Sequence, residues 1–163
     1  MALIGDANII RYKFDANDCL ASRNSTSFGE VSTSARSSYT PLRSDSNIII
    51  RATFWNCTNT DHALHHWKIY NVTEGTFLNV PGSHASRIPC NAAGRGSYNN
   101  DNVIAQNIVV EDTSPDSGQN IYTLYERSYD GDNMKLNHSY GDNNSNVHWR
   151  TKLMWEFFEV ENI

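Results

Sequence analysis

The segments Tyr12-Lys13-Phe14, Trp67-Lys68-Ile69 and Tyr122-Thr123-Leu124 start 55 residues apart, and then 55 again. In each segment one position separates an aromatic from an apolar residue, so both side chains lie on the same side of a strand. A turn and a second strand follow each segment, and the second strands carry leucines spaced by 58 residues: Leu20, Leu78 and Leu136. The spacing predicts three copies of one strand-turn-strand unit.

A long polar loop then leads to the most apolar strand of each unit. These strands contain Ile48-Ile49-Ile50, Val103-Ile104-Ala105 and Leu153 to Phe158. No window shows the apolar stripe of an amphipathic helix, so the sequence predicts an all-β chain. Because one such unit cannot bury its apolar face alone, we expect three units to close around a shared core. The alternative is a two-sheet sandwich, which does not require threefold spacing.

The composition narrows the classes of function. The chain has 163 residues, 39% of them hydrophobic, a formal net charge of −5 and a pI near 5.6. Basic residues are scattered, so we expect no nucleic-acid binding, which needs a basic surface. No apolar stretch is long enough to span a membrane. The first residues lack the pattern of a secretory signal, which favours a cytoplasmic protein and leaves secretion by a non-standard route open.

The repeat pattern resembles the β-trefoil superfamily. The features that carry the resemblance are three units of about 55 residues, the aromatic-x-apolar start of each unit, and Trp155-Glu156-Phe157 in the last strand. The resemblance implies one domain over residues 1–163, with repeats at about 8–56, 63–112 and 119–163. Within it, the chain resembles fungal, mushroom lectin-like proteins, namely ricin-B-type lectins and the lectin-like light subunit of mushroom tyrosinase. Ricin-B-type lectins carry Gln-x-Trp in each repeat, and this chain has none.

The third repeat has the richest polar and aromatic loops, from Asp130 to Trp149. Sugar recognition needs an aromatic face and side chains that exchange hydrogen bonds with hydroxyl groups. The competing interpretation is that the Asp and Asn residues only make turns. The predicted ligand-binding residues are Asp132, Asn137, Tyr140, Asp142 and Trp149.

These observations predict a non-catalytic, lectin-like protein that recognises glycans or glycoproteins through outer loops. Neither a Gly-x-Ser-x-Gly nor a His-Glu-x-x-His motif is present, and we expect no enzyme activity, no cofactor and no metal site. His62, His65 and His66 lie close together, but adjacent strand residues point to opposite faces. The alternatives are a protease inhibitor, which would use the loop 24–45 or the segment 86–90, and a protein-binding subunit. A homo-oligomer is also left open.

Overall fold

The computed structural model describes residues 8–58, 63–82, 85–95, 104–138 and 150–161. These residues form strands and one short 3-10 turn, Thr33–Ala35, and no α-helix is found in these ranges. In chain order the strands are β1 (Ile9–Asn17), β2 (Ala21–Arg23), β3 (Gly29–Glu30), β4 (Ser37–Tyr39), β5 (Ser46–Thr58), β6 (Leu64–Asn71), β7 (Thr76–Phe77), β8 (Ala92–Arg95), β9 (Ile104–Asp112), β10 (Asn120–Ser128), β11 (Met134–Leu136) and β12 (Leu153–Glu161). The predicted all-β class is confirmed.

The strands form two antiparallel sheets. In the first sheet β12 lies between β1 and β5, and β9 pairs with the other edge of β5. The short β11 pairs with the last residues of β5, and β2 pairs with β11. In the second sheet β10 lies between β6 and the short strands β3 and β4, and β6 also pairs with β7 and β8. Strands β3 and β4 pair with the same edge of β10, and β7 and β8 with the same edge of β6. The two sheets therefore have the strand orders β1-β12-β5-β9 and β3/β4-β10-β6-β7/β8, which is the arrangement of a two-sheet jelly roll.

The core lies between the inner faces of the two sheets. Strands β5 and β12 alternate buried and half-buried residues, which is the pattern of strands with one face in the core. Phe54 of the first sheet packs on Trp67 of the second with 4.6 Å between ring centroids, and Tyr122 packs on Phe157 at 5.6 Å. These aromatic pairs join the sheets across the interior, where each large ring buries extensive apolar area.

The trefoil arrangement and its three repeats are not confirmed. Trp67 and Tyr122, which start the second and third predicted units, are fully buried in the core. Tyr12, their counterpart in the first unit, lies on the outer face of the first sheet with half of its surface exposed. A threefold axis would give the three residues equivalent positions, so the 55-residue spacing does not reflect equivalent packing.

The predicted turns also differ from one another. Thr73-Glu74-Gly75 joins β6 to β7 as a hairpin, and Gly75 adopts a φ of 72°, which favours glycine. The turns after β1 and after β10 make no such hairpins, because β2 and β11 pair with each other in the first sheet. In two of the three predicted strand-turn-strand units, the two strands therefore do not pair with each other.

Glu159 fixes the connection between β4 and β5. Its side chain is fully buried and accepts hydrogen bonds from the backbone N–H groups of Leu42, at 2.8 Å, and Arg43, at 3.0 Å. The hydroxyls of Ser46 and Tyr39 donate to the same carboxylate at 2.7 and 3.0 Å. Burial raises the pKa of Glu159, but these hydrogen bonds outweigh burial, so the pKa lies below its ordinary value of 4.5.

We expect Glu159→Gln to lower the free energy of unfolding at pH 7 by roughly 1–3 kcal/mol, because an amide cannot accept all four hydrogen bonds. A carboxyl whose pKa is lowered by folding stabilises the protein above pH 4.5 and loses that contribution as the pH falls further. Urea unfolding at several pH values checks this. The wild type should lose stability more steeply than the variant below pH 4.5, and parallel curves would contradict the assignment.

Candidate functional site

The structure describes two of the five residues predicted to bind a ligand. Asp132 is half-buried in the connection between β10 and β11. Asn137 is fully buried, and its side chain accepts from the backbone N–H of Trp55 at 3.1 Å and donates to the carbonyl of Cys19 at 3.0 Å. Its polar groups are therefore engaged by neighbouring backbone. Tyr140, Asp142 and Trp149 lie outside the described residues, so the predicted cluster stays a prediction.

The two segments predicted to act as an inhibitory loop have different surroundings. Residues 24–45 include β3, the 3-10 turn and β4, and both strands pair with β10. This segment is therefore integrated into the second sheet. Ser86 and Arg87 are exposed, whereas the following residues through Cys90 are half-buried.

A group of aromatic side chains on the outside of the second sheet was not predicted as a site. Tyr70 of β6 follows the buried Ile69, and Tyr125 of β10 follows the buried Leu124. Because Ile69 and Leu124 face the core, strand alternation places both tyrosines on the outer side. Phe77 joins them because β7 pairs with β6 so that Phe77 lies opposite Tyr70. We call the group the outer aromatic face; its members are Phe28, Tyr70, Phe77 and Tyr125.

The rings of the outer aromatic face are in contact with one another. Tyr70 lies 4.7 Å from Tyr125 and 4.8 Å from Phe77 between ring centroids, and Phe77 meets Tyr125 edge-on at 5.2 Å. Phe28 extends the row at 6.4 Å from Phe77. All four side chains are half-buried, so their mutual packing leaves part of each available to a ligand.

Polar side chains border these rings along β3. Glu30 lies opposite Tyr125 in the sheet and makes a two-pronged ion pair with Arg36, with distances of 2.7 and 2.9 Å. The hydrogen bonds from Arg36 are the main cause that lowers the pKa of Glu30. Burial is the main cause that raises the pKa of Tyr125, so its hydroxyl keeps its proton near neutral pH. The border therefore offers both donors and acceptors beside an apolar surface.

The outer face of the first sheet has fewer rings in contact. It exposes Tyr12 and Phe14, and Tyr12 packs on Phe158 at 5.0 Å. Its central charges, Arg51 and Glu156, pair with each other at 3.0 Å, as the charges beside the outer aromatic face also do. The two faces therefore differ in their rings: among the described residues this one has a single aromatic pair, whereas the outer aromatic face has four packed rings.

A polar cluster also lies inside the sandwich, at the end where β5 leads toward β6. His65 and Glu126 are fully buried, and the imidazole Nδ1 lies 2.7 Å from a carboxylate oxygen of Glu126. Ser128 lies opposite His65 in the sheet and is also fully buried. Serine, histidine and glutamate are the side chains of a nucleophilic triad, but here none is accessible from outside.

Arg23 links this interior cluster to the outer aromatic face. Its Nε donates to Glu126 at 3.2 Å, while its terminal nitrogens donate to the carbonyls of Ser27, at 3.1 Å, and Glu30, at 3.3 Å. These carbonyls flank Phe28. A side chain at Gly29 would come within 2.8 Å of the Arg23 guanidinium, so glycine permits this close approach. The buried carboxylate therefore positions the loop that carries Phe28.

The histidines and cysteines give no metal centre in the described part of the chain, where no group of three or more suitable side chains occurs. His65 points inward and His66 outward, as strand alternation predicted.

Cys19, Cys57 and Cys90 are all free, and burial raises the pKa of the Cys57 thiol to about 11. No helix of the described ranges is long and apolar enough to cross a membrane.

Comparison with known proteins does not assign this chain to a family. Neither a protein-family model nor the sequence of a curated protein matches this chain.

We expect Glu126→Ala to lower the free energy of unfolding by about 3–5 kcal/mol, because it leaves Arg23 and His65 without their buried partner. Chemical denaturation measures the change. Asp45→Ala is the matched control: Asp45 pairs with Arg43 at the surface, and exposed pairs contribute about 0–1 kcal/mol. Equal effects of the two substitutions would contradict the assigned role of Glu126.

Proposed function

We propose that this chain is a non-catalytic, lectin-like protein that binds carbohydrate across the outer aromatic face of the second sheet. The observation that carries the proposal is a group of four packed rings, in which Phe77 contacts the other three, bordered by the Glu30–Arg36 ion pair. The apolar side of a pyranose ring packs on aromatic side chains, while carboxylate and guanidinium groups hydrogen-bond its hydroxyls. The proposal does not depend on a trefoil arrangement.

The backbone beneath the face favours a preformed site. Tyr70 and Tyr125 belong to β6 and β10, which pair along seven residues from Tyr122 opposite Asn71 to Ser128 opposite His65. Side chains on paired strands lose little further freedom on binding, so less of the binding energy is spent on ordering them. Phe28 lies on a loop, but Arg23 holds the carbonyls on either side of it.

We expect Tyr125→Ala to weaken glycan binding about tenfold, equivalent to ~1.4 kcal/mol, because it removes a ring that packs on both Tyr70 and Phe77. A glycan array followed by calorimetry with the best glycan measures the loss. Tyr12→Ala removes a half-exposed tyrosine from the other sheet and should leave binding unchanged.

Asp132→Ala provides the comparison with the loop predicted from the sequence. Loss of binding in this variant, with Tyr125→Ala unaffected, would place the sugar site in the loop and overturn the proposal for the aromatic face. Absence of binding by the wild-type protein to every glycan would overturn the proposed function itself. An inhibition assay against serine and cysteine proteases, with the same preparation, tests the alternative function.

A further inference from the structure

Three basic side chains adjoin the outer aromatic face near Phe28. His66 and Lys68 lie two residues apart on β6, and Arg127 of β10 lies opposite His66. Strand alternation puts all three on the outer side of the second sheet. We call the three the cationic cluster, after the charges of Lys68 and Arg127.

The charged ends of Lys68 and Arg127 converge on the same ring. The Lys68 ammonium nitrogen lies 4.1 Å from the centroid of Phe28 and 4.7 Å from that of Phe77. The central carbon of the Arg127 guanidinium lies 5.9 Å from the Phe28 centroid. Aromatic rings attract cations at these distances but do not neutralise their charge.

No carboxylate of the described residues forms a salt bridge with Lys68 or Arg127. Glu126, the sequence neighbour of Arg127, points inward to His65 and Arg23. Glu30, an acidic residue on the border of the face, pairs with Arg36. The cluster therefore carries positive charge that the described parts of the chain leave unpaired.

Two nitrogen atoms of the cluster are buried without a hydrogen-bond partner among the described residues. One is Nδ1 of His66, whose residue is only 7% exposed. The other is Nε of Arg127, whose residue is half-buried. A buried polar atom without a partner costs stability unless a bound molecule supplies its hydrogen bond. Burial is the main cause that lowers the pKa of both His66 and Lys68, and the charge of Arg127 lowers both further. A bound anion would relieve this repulsion.

We propose that the cationic cluster binds an anionic substituent, a sulfate or a carboxylate, of a saccharide that lies on the outer aromatic face. The inference rests on the proposed function and names its ligand class as acidic glycans. An ammonium and a guanidinium supply donors from several directions, which suits the oxygen atoms of such groups. The rings would hold the sugar, while the cluster would select for its charge.

The first test uses inorganic sulfate, with sodium chloride at equal ionic strength as the reference, and follows the imidazole signals of His66 by NMR. We expect a saturable shift with sulfate that is absent with chloride. Arg127→Gln and Lys68→Gln should each weaken sulfate binding about tenfold, since each removes a charged donor. Arg43→Gln, at a surface arginine already paired with Asp45, is the control and should bind as the wild type does. Thermal unfolding of each variant verifies that it is folded.

The second test compares a sulfated oligosaccharide, its desulfated counterpart and a uronate-containing oligosaccharide without sulfate. Tighter binding of either acidic form than of the desulfated one, lost in Arg127→Gln, supports the inference and tells sulfate from carboxylate.

Equal binding of all three forms would overturn the cationic cluster as a site and leave the proposed function standing. Binding of sulfate without binding of any saccharide would overturn the proposed function but keep the anion site. Absence of a sulfate-dependent shift at His66 would also overturn the cluster.

Discussion

The alternation of side chains along β6 and β10 determines both the core and the surface of the second sheet. Trp67 and Leu124 point inward and are fully buried, while the next residues, Lys68 and Tyr125, lie opposite each other on the outer side. A shift of register by one residue would exchange the two sets and expose the core rings. The packing of Trp67 on Phe54 of the other sheet therefore fixes which side chains lie on the outer side of the second sheet.

The interior and the outer face are connected by one buried ion pair. Glu126 is fully buried yet bonds both His65 and Arg23, and Arg23 in turn holds the carbonyls on either side of Phe28. Burial of a charged group costs stability unless its partners are well placed. Here the buried Glu126 orients Arg23, and Arg23 holds Phe28 in a defined position beside Lys68 and Arg127. The desolvation of Glu126 therefore lowers stability but helps to fix the geometry of the outer surface.

The sequence predicted the strands well, because β-branched and aromatic runs bounded by turn residues are local signals. The long runs beginning near Ile9, Ile48 and Leu153 are all strands. The pairing of strands depends on contacts distant in sequence, so equal spacing of Tyr12, Trp67 and Tyr122 did not reveal that Tyr12 faces outward. The outer aromatic face was missed for the same reason: Phe28, Tyr70 and Tyr125 are adjacent only after β3, β6 and β10 pair. Alternation within Trp67-Lys68-Ile69-Tyr70 was the available signal, since it separates an apolar side from a side with a cation and a ring.

The most direct test of the account is an NMR titration with a sulfated oligosaccharide that follows the aromatic ring signals of each tyrosine and tryptophan. The account predicts that the rings of Tyr70 and Tyr125 shift together and saturate at one ligand concentration, while Tyr12 on the opposite sheet does not move. Shifts confined to Tyr12, or to the indole of Trp149, would contradict it, because the ligand would then bind elsewhere than the outer side of the second sheet.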